Sequence, residues 1–168
     1  MAEPSSVVIR PATEADWPAV WEIVRGVVAE GTSYAYPDDL TSEQGHDLWM
    51  ERPPGETVVA LLGDCVVGTA KWGPNRMGRG SHVATASFMV GDAARGHGVG
   101  RALGRYVVDR ARQEGYRSMQ FNAVVETNTA AVALWQELGF TIVGTVPEAF
   151  DHPEHGYVGL HVMHLDLA

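Results

Sequence analysis

Apolar positions along the chain fall into segments of two periods, and the order of those segments constrains the fold first. Trp17, Val20, Trp21, Val24, Val27 and Val28 recur at three- and four-residue spacing, which predicts a helix with one apolar face running to about Ala29. Thr13-Glu14-Ala15-Asp16 ahead of it has the spacing of a capping box, and Gly31 is its stop signal. The same spacing at Thr41 to Gln44 opens a second, short helix that ends before Pro53-Pro54. Apolar runs bounded by turn residues predict strands at 6–10, 57–62, 65–72, 83–90, 118–125, 140–146 and 157–165. Amphipathic stretches at 99–113 and 128–138 predict two further helices. Gly73-Pro74-Asn75 is expected to end the third strand, and 150–156 to form a loop. The resulting order, βααβββαβαββ without repeats or linkers, predicts one mixed α/β sheet with helices on its faces.

Composition narrows the class. A chain of 168 residues, 45% apolar and 20% charged, is expected to form one domain over 1–168 with its own core. A net charge of −9 argues against a nucleic-acid partner, because phosphate contacts need a basic surface. The longest apolar run, Ala130 to Trp135, is far too short for a membrane span, so no membrane is expected. One cysteine, Cys65, excludes a disulfide framework and fits a reducing compartment. No basic stretch followed by an apolar one is visible from Met1 to Ser6, so a cytoplasmic location is expected.

Charge is unevenly spread. Twelve of the 21 acids precede Cys65, against Arg10, Arg25 and Arg52. Six arginines then fall between Arg95 and Arg117, starting in the most glycine-rich turn, Arg95-Gly96-His97-Gly98-Val99-Gly100-Arg101. A solvated arginine-rich helix face is one reading of that block. The turn joins a strand to a helix, where small residues admit a ligand to the backbone and the unpaired N–H groups of the first helical turn attract phosphate. A nucleotide P-loop requires Gly-Lys-Ser or Gly-Lys-Thr, which the chain lacks. A dinucleotide fingerprint requires a third glycine where Leu103 stands and an acid where Asn122 stands.

Arg95-x-x-Gly98-x-Gly100 before an amphipathic helix resembles the acetyl-CoA pyrophosphate signature of the GNAT acetyltransferase superfamily. Asn128 through Leu138-Gly139-Phe140 resembles the family's second coenzyme motif, and the element order is similar from end to end. The resemblance implies a central mixed sheet splayed between two parallel strands, with acetyl-CoA as cosubstrate in the gap. Met89 and Val90 would lie beside the pantetheine arm, and Arg95, Gly96, His97, Gly98, Val99, Gly100 and Arg101 would wrap the pyrophosphate. Asn128 would either bond the arm or cap its helix, and Ala131 and Trp135 would face the coenzyme or pack in the core. Many members carry Tyr at the position of Trp135 as the acid for the departing thiolate. Indole is no useful acid, so that role does not transfer.

Asn122 and Asn128 with Trp135 resemble the branch acting on proline analogues and small amino acids, where Asn122 would orient the acceptor or polarise the thioester. A structural Asn is the other reading. Direct transfer needs no covalent nucleophile, so Cys65 carries no role, and the base is Glu30, Glu126 or a water. Tyr34, Tyr36 and Tyr157, with the segment Phe150 to Gly156, are the expected acceptor-pocket residues. No metal is expected. His161 and His164 lie on opposite faces of one strand, and His152, Glu154 and His155 lack further ligands. The partner expected is a small-molecule amine, with a homodimer as the assembly. Protein N-terminal or lysine acetylation, and a silent coenzyme-binding module, are the alternatives.

Overall fold

A computed structural model describes residues 6–168; the start read above for targeting signals lies, from Met1 to Ser5, outside the described residues. The elements are β1 (Val8–Pro11), α1 (Trp17–Glu30), α2 (Ser42–Trp49), β2 (Glu56–Leu62), β3 (Cys65–Pro74), β4 (Val83–Val90), α3 (Val99–Gln113), β5 (Ser118–Val125), α4 (Thr129–Glu137), β6 (Thr141–His152) and β7 (Gly156–Asp166). The capping boxes act as the spacing predicts. Thr41 and Gln44 exchange reciprocal bonds at the start of α2, Gln44 N–H to Thr41 Oγ1 at 3.2 Å and Thr41 N–H to Gln44 Oε1 at 3.0 Å. At the start of α1, Asp16 Oδ2 accepts from Thr13 N–H at 2.8 Å, and Arg10 donates to both Asp16 oxygens at 2.7 and 2.9 Å. The Arg10 guanidinium holds the Asp16 carboxyl well below the ordinary carboxylate range.

The first strand starts two residues later than expected, at Val8, and two strand ends run past theirs. β3 runs on through Gly73 and Pro74 because Pro74, opposite Ala84, is a non-hydrogen-bonded position. The neighbouring bond is Asn75 N–H to Val83 C=O at 2.7 Å, and β2 has already ended opposite Trp72. A missing N–H costs nothing there. β6 runs six residues past its expected end, to His152, so most of the expected 150–156 loop is strand and tight turn. Register shifts between Ile142 and Gly144 and between Val146 and Phe150, with Glu148 at φ +52°, carry the ladder past Gly144 and Pro147.

The sheet has seven strands in the order β1-β2-β3-β4-β5-β7-β6. Its neighbours are antiparallel except β4 and β5, which run parallel and pair at Val83–Ser118 and Ala84–Met119 before diverging. This is the splay. α3 packs on one face over Val58, Ala70, Trp72 and Ala84, while α1 and Trp49 of α2 cover Val59 and Met89 on the other. Gly104 sets how closely α3 meets α4. A Cβ there would stand 2.8 Å from the Leu138 side chain and 3.0 Å from the Trp135 ring, so a larger residue forces those side chains to shift. Among the described residues no helix is long and apolar enough to cross a membrane.

Candidate active site

Which groups face the splay follows from hydrogen-bond parity. The bonds from Asn75 N–H to Val83 C=O and from Gly91 N–H to Val67 C=O mark the two ends of the β3–β4 ladder. In an antiparallel pair, alternate residues bond the partner, so odd-numbered residues of β4 face β3 and even-numbered ones face β5. β5 pairs with β4 no farther than Ala84. Ala86, Phe88 and Val90 therefore turn their N–H and C=O groups into the gap. Of the two strand residues expected beside a coenzyme arm, Val90 offers its backbone. Met89 does not, because its backbone faces Thr69 of β3 and its side chain is buried against α1.

The gap is a cleft of about 310 Å³. Nine of the expected residues line it: Tyr34, Met89, Val90, Arg95, Asn122, Asn128, Ala131, Trp135 and, from the expected acceptor segment, Phe150. Its floor is an aromatic cluster in which Trp135 lies 4.7 Å from Phe88 and 4.9 Å from Phe121, with Phe121 stacked on Phe140 at 4.2 Å. Trp135 is thus both core and wall. Phe88, Phe121 and Leu160 also line the cleft and were not anticipated. In the sequence they are single apolar residues in strands, with nothing to separate a wall from a core.

The glycine turn lies at one end of this cleft, and Gly98, at φ +76°, caps α3. The first intrahelical bond is Ala102 N–H to Gly98 C=O at 3.0 Å, which leaves the N–H groups of Val99, Gly100 and Arg101 directed outward. Gly96 shares the left-handed conformation at φ +78°, and a Cβ at either glycine would meet nothing within 4 Å. Their need for glycine is backbone conformation and open approach, not packing. His97 folds back, its Nδ1 3.1 Å from the Arg95 carbonyl.

Both arginines of the turn already have acidic partners. Arg95 donates to Glu30 at 2.7 and 2.9 Å and lies 3.1 Å from Asp92, and Arg101 lies 2.5 Å from Glu137 on α4. Glu30 is consequently a clamp on Arg95 and does not line the cleft. Glu126 is also committed, accepting from Gly159 N–H at 2.6 Å.

Asn128 Oδ1 accepts from Ala131 N–H at 3.3 Å, so its oxygen caps α4. Asn122 sits where β5 bulges against β7, between Phe121 and Val124. Its Oδ1 accepts from Gln120 at 2.9 Å and its Nδ2 donates to Asn75 at 2.7 Å, so both ends of the amide have side-chain partners.

The three expected acceptor tyrosines separate. Tyr34 enters the gap and Tyr36 stacks on it at 5.7 Å without lining the cleft. Tyr157 is 69% exposed on β7 opposite Asp151, because β6 reaches His152 and carries the ladder past it. Phe150 and Val158 turn inward there instead. His152 is buried and its Nδ1 accepts from the N–H groups of Glu154 at 3.1 Å and His155 at 3.3 Å, which closes the β6–β7 turn. Among the described residues no three His, Cys, Asp or Glu side chains gather to hold a metal.

A mixed sheet splayed at its parallel pair, with a glycine turn feeding the gap, is the architecture of one family. Residues 17–140 match the model of the Acetyltransferase (GNAT) family, and the chain belongs to it. It is 30% identical over 150 residues to the L-methionine sulfoximine/L-methionine sulfone acetyltransferase of Pseudomonas aeruginosa, covering 85% of each chain. To the N-acetyltransferase aca1 of Schizosaccharomyces pombe it is 36% identical over 90 residues, 53% of this chain and 43% of that one, so it spans less than half of that relative. Among solved structures, a GCN5-related N-acetyltransferase from Kribbella flavida superposes with a TM-score of 0.94 at 56% identity, covering 98% of this chain and 99% of the other. A Salmonella typhimurium protein solved with its cofactor acetyl-CoA superposes at 0.82 with 26% identity, covering 98% and 95%.

Proposed function

We propose that the protein is an acetyl-CoA-dependent N-acetyltransferase whose acceptor is the amine of a small molecule, an amino acid or a close analogue. The observation that carries this reading is the run of even-numbered β4 residues facing the gap, leading from the glycine turn into the cleft. The residues fit the coenzyme in kind. The N–H groups at the start of α3 suit a pyrophosphate, and the β4 edge, unpaired with β5 beyond Ala84, suits an arm containing two amides. Bound acetyl-CoA supplies an acetyl thioester that an amine attacks directly.

The chain's own part is binding, orientation and exclusion of water. Val90 offers backbone pairing, the Trp135 cluster keeps the floor dry, and Asn122 presents an amide at the β5 side of the gap. Both acids expected as bases are engaged, Glu30 by Arg95 and Glu126 by Gly159. The proton shed by the amine therefore leaves through water. A cleft of about 310 Å³ has room for an amino acid beside a thioester, and the methionine-analogue acetyltransferase among the relatives supports that size of acceptor. Cys65 as the one cysteine suits a cytoplasmic protein.

The test is a panel of amino acids, their analogues, simple amines and peptides with acetyl-CoA, read by thiol release. Turnover with an amino acid or analogue supports the proposal. Turnover confined to peptides replaces it with protein acetylation, and coenzyme binding without turnover replaces it with a silent binding module.

A further inference from the structure

The Tyr34 hydroxyl donates to the Phe88 carbonyl at 2.7 Å and accepts from the Phe88 N–H at 2.9 Å. Phe88 is an even-numbered β4 residue, so these are the edge groups that a neighbouring strand, or an extended arm, would pair. One phenol thus stands in the missing strand's place at the centre of the gap. Ala86 and Val90 flank it, each about 6.6 Å away along the strand. An arm entering from the glycine turn passes Val90 first and meets the Tyr34 hydroxyl next.

Neighbouring rings fix that hydroxyl. Tyr34 stacks on Tyr36 at 5.7 Å with an 11° interplanar angle and meets the edge of Trp49 at 6.3 Å. Trp49 is fully buried and donates to Thr69 Oγ1 at 2.9 Å. With the ring and its oxygen held this way, only the direction of the O–H bond has to change for the hydroxyl to meet a new acceptor. Burial also raises the Tyr34 phenol above its ordinary range, so the proton stays on oxygen at any working pH. The group is a hydrogen-bond donor and not a proton source.

We infer, resting on the acetyl-transfer reading above, that Tyr34 donates its hydroxyl hydrogen bond to the thioester oxygen, with the Phe88 N–H bonding the phenol oxygen from behind. The hydroxyl turns from the Phe88 carbonyl to the thioester oxygen, and the N–H behind it strengthens the new bond through polarisation. The acceptor's lone pair forms the C–N bond, the C–S bond breaks with its pair on sulfur, and the nitrogen's proton leaves to water. Tyr34 keeps its own proton throughout. This places a thioester-polarising donor on the loop after α1, far from the position of Trp135, and does not replace the acid that a tyrosine there would supply.

The test compares wild type with Tyr34→Phe, which keeps the ring and its stacking. Acetyl-CoA labelled with ¹³C at the carbonyl is bound without acceptor, and its carbonyl stretch is read by difference infrared spectroscopy. The inference expects a lower frequency on wild type than in water, returning toward the solution value in the variant. In turnover it expects kcat to fall on the order of 10²-fold, with acceptor KM nearly unchanged. Binding of acetyl-CoA with the same carbonyl frequency on both proteins overturns the Tyr34 assignment alone. No binding to wild type overturns it together with the acetyl-transfer reading.

Discussion

Arg95 holds both carboxylate oxygens of Glu30, at 2.7 and 2.9 Å, beside the cleft. The one contact restrains two groups that the sequence suggested as independent, a phosphate-binding cation and a candidate base. An arginine already paired has less to gain from a phosphate. Removing the acid should free it.

Glu30→Gln is therefore expected to bind acetyl-CoA more tightly, by up to about fivefold, the range set by roughly 1 kcal/mol or less for a partly exposed ion pair. The gain should shrink as salt is added. Calorimetric titration at two ionic strengths reads both effects. Weaker binding in the variant contradicts the clamp.

Gly98→Val is expected to fold with a lowered Tm, since a branched residue at φ +76° costs about 1–2 kcal/mol. Coenzyme affinity should drop by more than tenfold, because the side chain occupies the approach to the N–H groups of α3. Arg95→Ala should lose less. Equal affinity in wild type and folded Gly98→Val removes the turn from the binding site.

Asn122→Ala should lower kcat and leave acetyl-CoA affinity nearly intact, with a loss on the order of 10²-fold if its amide acts on the thioester or the acceptor. Trp135→Phe should do the opposite. It loosens the cluster with Phe88, Phe121 and Phe140, costing about 1–3 kcal/mol of stability, while turnover persists. A fully active Asn122→Ala beside an inactive, coenzyme-bound Trp135→Phe reverses the assignment.

Much of the architecture was legible because it was periodic or punctuated. β4, α3 and β5 begin and end where their apolar runs and glycines predict, and the splay follows from the family resemblance. Side-chain pairing across long separations was not legible. Nothing near residue 34 announces a bond to Phe88, 54 residues on, nor does Glu30 announce Arg95. Tyr157 lies on the exposed face because β6, expected to end at Val146, is carried by bulges on to His152 and pairs it with Asp151. Asn128 reads as ligand before cap, and the structure fills the cap with its oxygen.

The Asp16 carboxyl, held low by Arg10, predicts how stability depends on pH. Its folded pKa lies below its unfolded value near 4, so its contribution is complete above that value and is lost as pH falls toward the folded one. Asp16→Asn should be less stable than wild type at pH 7, and the difference should narrow below about pH 4. Urea unfolding from pH 7 to pH 3 reads it. A gap that stays constant across this range means the ion pair is not the cause.

The most direct test of the account is whether acetyl-CoA binds the native cleft in preference to other phosphate-bearing cofactors. Thermal unfolding is followed with acetyl-CoA, ATP and NADH in turn, each at the same concentration. At a hundred times its Kd a native-state ligand stabilises by about 2.7 kcal/mol, which for a chain of this size raises Tm by about 5–10 °C. The account predicts that rise for acetyl-CoA and little for the other two. An equal or larger rise with ATP or NADH, and none with acetyl-CoA, contradicts it.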